Sequence, residues 1–153
     1  MTVRLSTGLR NAMVGLTGFG TTFSQGVINI YSGPQPLSAD NAVTGTLLCT
    51  VTKDGAAFAF GAPTNGLAFD PPVAGVVSKA AADTWKAVGL AAGTAGWFRL
   101  MGNAADSLGA STTLPRLDGS IGTSGADLNL SNIAIAVGAP NTVDVFSFTL
   151  PAQ

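Results

Sequence analysis

Histidine and glutamate are absent from this 153-residue sequence, and charged residues make up only 10% of it. Histidine is the commonest general base and metal ligand, so its absence removes most acid–base and metal chemistry. All carboxylate chemistry would fall to eight aspartates. Four of them, Asp40, Asp54, Asp70 and Asp118, stand directly before Asn, Gly or Pro, where a turn is the simpler explanation. We therefore expect no catalytic residues, no cofactor and no enzyme.

Cysteine, basic runs and long apolar segments are equally scarce. Cys49 is the only cysteine, so no internal disulfide can form, which fits folding in a reducing cytoplasm. The seven basic residues are scattered singly and the net charge is −1, so nucleic-acid binding is not expected. The N-terminus lacks the continuous apolar core of a signal peptide, and no run approaches the roughly 20 residues that span a bilayer. We expect no membrane association.

Apolar residues, glycine and small polar residues fill the sequence instead. Apolar residues account for 46%, and 20 glycines and 8 prolines punctuate the chain. An ordinary soluble domain carries roughly 25% charged residues. Interface cores are depleted of Lys, Glu and Asp, so this composition is typical of a subunit that packs against copies of itself or against partners. A small soluble β-protein rich in Gly and Ala is the alternative.

Residues 3–16 show the best helical pattern in the chain. One apolar stripe with spacings of four, four and three runs along them, and two phenylalanines continue it; the members are Leu5, Leu9, Met13, Leu16, Phe19 and Phe23. Gly8 weakens the middle of this helix by about 1 kcal/mol, so the helix needs a surface to lie on. Residues 1–25 are therefore predicted to form an N-terminal helical arm whose six apolar residues are candidate interaction residues. The arm packs either on its own domain or on a neighbouring subunit.

Residues 26–153 alternate short β-type runs with turn signals. The predicted strands are 27–31, 46–52, 56–60, 73–78, 84–90, 96–101, an irregular strand over 114–123, 126–130, 133–137 and 142–150. Turn signals every 8 to 12 residues are typical of an all-β fold. The sequence therefore predicts a mainly β, single-domain antiparallel β-sandwich or jelly-roll. Cys49 is expected to be a small buried hydrophobe in it.

Segment 93–103 is predicted to be a central strand, because large side chains alternate along it. Trp97 and Arg99 point to one face, and Phe98 and Leu100 point to the other. A buried Arg99 would need an Asp partner, whereas an exposed one would face a neighbouring molecule. Trp97 and Arg99 are therefore the candidate ligand or interface residues.

Residues 84–90 also alternate and are predicted to form a hairpin with residues 96–101. This hairpin would bring Trp85 close to Trp97.

Two aspartates lie in predicted loops, Asp106 and Asp127. They are the candidates for a surface cation site, although no acidic cluster resembles a calcium loop. No metal ligand is therefore assigned.

Several stretches, taken together, resemble small structural proteins of tailed bacteriophages. They are residues 30–36 (IYSGPQP), followed by 39–42 (ADNA) and 44–48 (TGTLL), then 93–100 (GTAGWFRL) and 122–130 (GTSGADLNL). In that family the last block is followed by a short strand and a closing strand, as is predicted here. The resemblance covers roughly residues 3–150. It implies a virion component of the head-decoration or minor structural kind, without catalytic residues.

The resemblance and the composition lead to one functional hypothesis and two alternatives. We expect a capsid-associated decoration or cement protein, made in the bacterial host cytoplasm. It would act as a homo-oligomer, for example a trimer, and contact other virion proteins such as the major capsid protein. One alternative is a tail or fibre module that binds host glycans through Trp97 with Arg99, or through Trp85 with Asp83. The other is a tail or neck ring subunit.

Overall fold

Strands rich in β-branched and aromatic residues dominate the computed structural model, which describes residues 3–15 and 17–150. Strands hold 37% of the chain and helices 8%, and the pairing is predominantly antiparallel, so the prediction of a mainly β fold is confirmed. The elements in chain order are β1 (Arg4–Leu5), α1 (Thr7–Val14), α2 (Phe19–Thr22), β2 (Val27–Ser32), β3 (Leu47–Lys53), β4 (Val76–Ser78), β5 (Trp85–Val88), β6 (Gly93–Met101), β7 (Arg116–Gly122), β8 (Leu128–Asn129), β9 (Ala134–Ile135), β10 (Pro140–Val143) and β11 (Ser147–Thr149).

Nine of these strands form the main sheet, ordered β1-β7-β6-β2-β3-β5-β10, with β8 beside β7 and β9 beside the start of β6. The pairs are antiparallel except for β7 with β8, which is parallel. Strands β4 and β11 form a small antiparallel sheet of their own. Strand β6 lies between β2 and β7, so the prediction of a central strand in this segment is confirmed.

The first face of the main sheet is apolar. Its side chains stand in register across three neighbouring strands and are almost inaccessible; they include Ile28, Ile30, Cys49, Val51, Phe98 and Leu100. Phe146, just before β11, packs on Phe98 with ring centroids 6.1 Å apart. The core therefore lies between this face and the segment that leads into the small sheet. Cys49 is buried in it, as predicted, and burial raises the pKa of its thiol to about 11.

The predicted helix over residues 3–16 is shorter in the structure and covers only Thr7–Val14. Arg4 and Leu5 pair as a strand with β7 instead, with Leu5 opposite Leu117. The Ser6 hydroxyl accepts a hydrogen bond from the Leu9 amide and caps the helix. Residues 4 and 5, at the start of the predicted helix, therefore pair with the main sheet and are not helical.

The predicted strand over residues 56–60 is wrong. The turn before it forms as expected, because Asp54 and Gly55 adopt φ values of 56° and 69°. Beyond the turn no edge is free, since β3 is already paired with β2 on one side and with β5 on the other. Residues 56–60 therefore leave the sheet as an irregular segment.

The predicted hairpin between residues 84–90 and 96–101 is also wrong. Strand β5 pairs with β3 and β10, while β6 pairs with β2 and β7. Trp85 packs against Phe146 on the apolar face, at 5.6 Å between ring centroids. Trp97 stacks on Tyr31, whose side chain alternates with the core residue Ile30. The two tryptophans consequently lie on opposite faces of the main sheet rather than near each other.

Candidate functional site

The second face of the main sheet carries buried ion pairs where the first face is apolar. Arg99 of β6 lies directly opposite Asp118 of β7. Its Nε and Nη2 atoms donate to the two carboxylate oxygens of Asp118, each at 2.7 Å, and both side chains are 0% exposed. The expectation that a buried Arg99 has an Asp partner is confirmed. Burial raises the pKa of Asp118, and the hydrogen bonds from Arg99 oppose that rise.

A second buried ion pair joins Arg116 of β7 to Asp106. The Arg116 Nε atom donates to Asp106 Oδ2 at 2.7 Å, and Nη2 donates to Oδ1. Asp106 Oδ1 also accepts the Leu108 amide. Asp127 accepts the amide and the hydroxyl of Ser120 at 2.8 Å. The suggested cation site is therefore not assembled, and within residues 3–15 and 17–150 no group of three or more acidic, Cys or His side chains is placed to hold a metal ion.

Both arginines also hold the long loops that cover the second face. Arg99 Nη1 donates to the Asn41 carbonyl at 3.1 Å, and Arg116 Nη1 donates to the Gly109 carbonyl at 2.8 Å. The two loops bond each other as well, through the Val43 amide and the Leu108 carbonyl at 3.0 Å. Each charge is thus paired and every guanidinium nitrogen donates at least one hydrogen bond, which favours the burial of an ion pair. The role of these groups is structural.

Trp97 and Arg99, the predicted ligand or interface residues, are both inaccessible. The Trp97 ring stacks on Tyr31 with centroids 4.6 Å apart, and the Arg99 guanidinium lies 5.6 Å from the Trp97 ring centroid. The other suggested sugar pair is equally enclosed, since Trp85 is in the core and Asp83 is buried beside Lys53 at 2.9 Å. A glycan cannot reach any of these four side chains in this structure.

The six candidate residues of the N-terminal arm contribute mostly to the chain's own core. Leu9, Phe19 and Phe23 are buried there, while Leu5 and Met13 are half-buried against it. Leu16 lies outside the described residues. The Phe19 ring stacks in parallel on Phe148, with centroids 4.4 Å apart. The arm therefore packs on its own domain, which was one of the two alternatives left open.

An apolar groove opens beside this aromatic stack. We call it the Phe148 groove; its volume is about 550 Å³ and its main lining side chains are Met13, Phe19, Phe69, Val77, Phe148 and Leu150. Asp70 is the one ionisable residue among its described lining, and its Oδ2 atom is occupied by the Ala81 amide at 3.0 Å. Leu150 at the rim is 54% exposed. This groove is therefore an exposed, mainly apolar surface.

A second groove lies on the second face of the main sheet, beyond the loops. We call it the Phe60 groove; its volume is about 480 Å³. Its floor includes Asn29 and Thr50, which bond each other at 2.8 Å, and its rim includes the exposed Phe60 and Leu90. None of the described residues around it is ionisable. Its polar side chains, which already form hydrogen bonds within the chain, lie between apolar walls.

Sequence reasoning missed Asp118, which was interpreted as a turn residue because Gly119 follows it. The structure places it inside β7, so that interpretation is wrong. The available signal was the alternation of Arg116, Asp118 and Ser120 with Leu117 and Ile121, which marks a strand with one polar face. An acidic residue on that face, one strand away from Arg99, supplies the required partner.

No family model, no curated protein and no solved structure matches the chain. Among the residues that the structure describes, no helix has the length and apolar character needed to cross a membrane.

Proposed function

We propose that this chain is a non-enzymatic structural subunit of a tailed-bacteriophage particle, of the capsid-decoration or cement kind. In this role it is made in the host cytoplasm, forms a homo-oligomer and binds other virion proteins such as the major capsid protein. The stretches that resemble small phage structural proteins support the class. The low charge of the chain supports a protein that acts through its contact surfaces.

The observation that carries the proposal is the Phe148 groove. Apolar grooves exposed on a folded protein are candidate interaction sites, and this groove is apolar and uncharged apart from the bonded Asp70. The buried ion pairs hold the loops of the second face, so they take no part in this contact surface. A surface of this kind suits a protein that stabilises a particle by contact.

We further propose that the two sheets are the layers of a β-sandwich of the jelly-roll type. Phe146 supports this arrangement, because its ring contacts both Trp85 and Phe98 of the main sheet, at 5.6 and 6.1 Å between centroids. In such a sandwich the facing surfaces of the two sheets share one core.

Quantitative mass spectrometry and electron cryo-microscopy of purified particles test the function. We expect a fixed, high copy number on the capsid surface and a loss of particle resistance to heat when the protein is removed. Leu150→Asp, at the groove rim, should reduce recovery on particles, whereas Val137→Asp, exposed elsewhere, should not. A protein that is strictly monomeric and absent from particles would contradict the proposal.

The Phe60 groove supports the glycan-binding alternative. Its residues differ from the two pairs that the sequence suggested, Trp97 with Arg99 and Trp85 with Asp83. Protein sites for small neutral ligands combine apolar walls with a few polar groups, and this groove has Phe60 and Leu90 above Asn29 and Thr50. Glycan-array binding that disappears in Phe60→Ala, with unfolding midpoint unchanged, would favour it. A ring of fixed copy number on the particle axis would instead favour the tail or neck ring alternative.

A further inference from the structure

Strand β11 is one of the two strands of the small sheet, and one of its edges faces away from β4. It pairs with β4 so that Phe148 lies opposite Val77, and the Leu150 amide donates to the Gly75 carbonyl. In an antiparallel pair hydrogen-bonded positions alternate, so Phe148 and Leu150 bond toward β4. The main-chain groups of Ser147 and Thr149 then point away from it. Within residues 3–15 and 17–150 these outward groups have no hydrogen-bond partner.

The β11 edge carries neither a charge nor a proline, although the strand itself has only three residues. Folded proteins protect edge strands with charged side chains, proline or very short length. The terminal strands of the main sheet follow this rule: β1 has two residues including Arg4, and β10 begins at Pro140. Residues 145–150, with the sequence VFSFTL, contain no charge and no proline. An uncharged β-forming segment of this kind is open to pairing with another strand.

We propose that β11 pairs with β11 of a second copy of this chain, in an antiparallel arrangement about a two-fold axis. The two small sheets then join into one four-stranded sheet. Phe148 faces its own symmetry mate at the axis, and each Ser147 exchanges both main-chain hydrogen bonds with Thr149 of the other copy. The inference deepens the proposed function, because it assigns the self-association on which that function rests.

A second copy is the occupant that the charges and the geometry favour. The edge is uncharged in both copies, so two edges meet without repulsion, and a two-fold contact needs one self-complementary patch. Directly opposed residues lie on the same side of a sheet. The symmetric pairing therefore brings both Phe148 grooves to one side of the joined sheet.

The register of this pairing can be tested with charges at positions 147 and 149. Both side chains are exposed, and the residues opposite them on β4 are the uncharged Ser78 and Val76. The double variant S147K/T149K places like charges directly opposite each other across the two-fold axis. The matched double variant S147K/T149D places opposite charges there, with the same positions changed.

Sedimentation equilibrium of the full chain and both variants gives the dimer Kd, and thermal unfolding confirms that each is folded. We expect the wild type to dimerise, S147K/T149K to dimerise at least about 10-fold more weakly, and S147K/T149D to stay within about 3-fold of the wild type. A wild type that remains monomeric, or two variants with equal Kd, would overturn the pairing. Particles that contain a monomeric protein would refute this inference alone, whereas a dimer absent from particles would refute the proposed function alone.

Discussion

Arg99 and Asp118 stand directly opposite each other on adjacent strands and share two hydrogen bonds of 2.7 Å, with neither side chain exposed to solvent. The pair lies on the face of the main sheet that is opposite the apolar core. The third guanidinium nitrogen, Nη1, donates to the Asn41 carbonyl, so the pair also fixes the loop that closes over it. The ion pair thus stabilises the second face of the sheet, as apolar packing stabilises the first.

Removing one member of this pair is expected to be costly. Asp118→Asn should lower the free energy of unfolding by about 3–5 kcal/mol, because Arg99 would remain buried without its counter-charge. Asp144→Asn, at an exposed position, is the matched control and should change it by less than about 0.5 kcal/mol. Urea unfolding measures both. Equal effects of the two variants would mean that the pair is not buried in solution.

Replacing both members by apolar residues should cost much less than replacing one. In Arg99→Met with Asp118→Leu no buried charge is left unpaired, and such exchanges are often neutral. We expect urea unfolding to place this double variant above Asp118→Asn by at least about 2 kcal/mol. A double variant as unstable as the single one would show that the hydrogen bonds to the loop, rather than the buried charge, dominate the stability.

The N-terminal segment should behave as part of the core. Phe23→Ala removes a fully buried ring and should lower the free energy of unfolding by about 3–5 kcal/mol. Val14→Ala, on the same segment but 89% exposed, should change it by less than about 0.5 kcal/mol. Guanidinium unfolding of the purified chain compares them. If Phe23→Ala left stability unchanged, the segment would not be packed on its own domain.

Two helical glycines should respond in opposite directions to alanine. A Cβ on Gly8 would stand 2.3 Å from the Thr113 carbonyl oxygen, whereas one on Gly20 would make ordinary contacts at 3.7 Å with Phe69 and Val77. Helix propensity alone favours alanine at both positions, by about 1 kcal/mol. We expect Gly20→Ala to raise the melting temperature and Gly8→Ala to lower it. A gain at both positions would contradict the close approach of α1 to the loop before β7.

Cys49 should make stability fall at high pH. Burial raises the pKa of its thiol from 9.0 to about 11, so the folded chain keeps a proton that the unfolded chain releases. Stability from this group is therefore complete below pH 9 and is lost as the pH rises from 9.0 to about 11. Urea unfolding at stepped pH should show a smaller loss for Cys49→Ala than for the wild type. Parallel curves would contradict a buried thiol.

The sequence by itself determined the β class, the central strand at segment 93–103 and the burial of Cys49. These depend on side-chain alternation and on residue type, which are local properties of the chain. The need of Arg99 for an acidic partner also followed from local reasoning, because a large cation on a central strand is either paired or exposed.

Only the tertiary structure decided which elements meet. Residues 56–60 failed to form a strand because β5 already occupied the edge of β3, and Asp118 became a partner rather than a turn residue because β7 lies beside β6. The Ser6 hydroxyl accepts the Arg116 amide across 110 positions of sequence. Such pairings depend on competition between distant segments for the same edge, which alternation within one segment cannot encode.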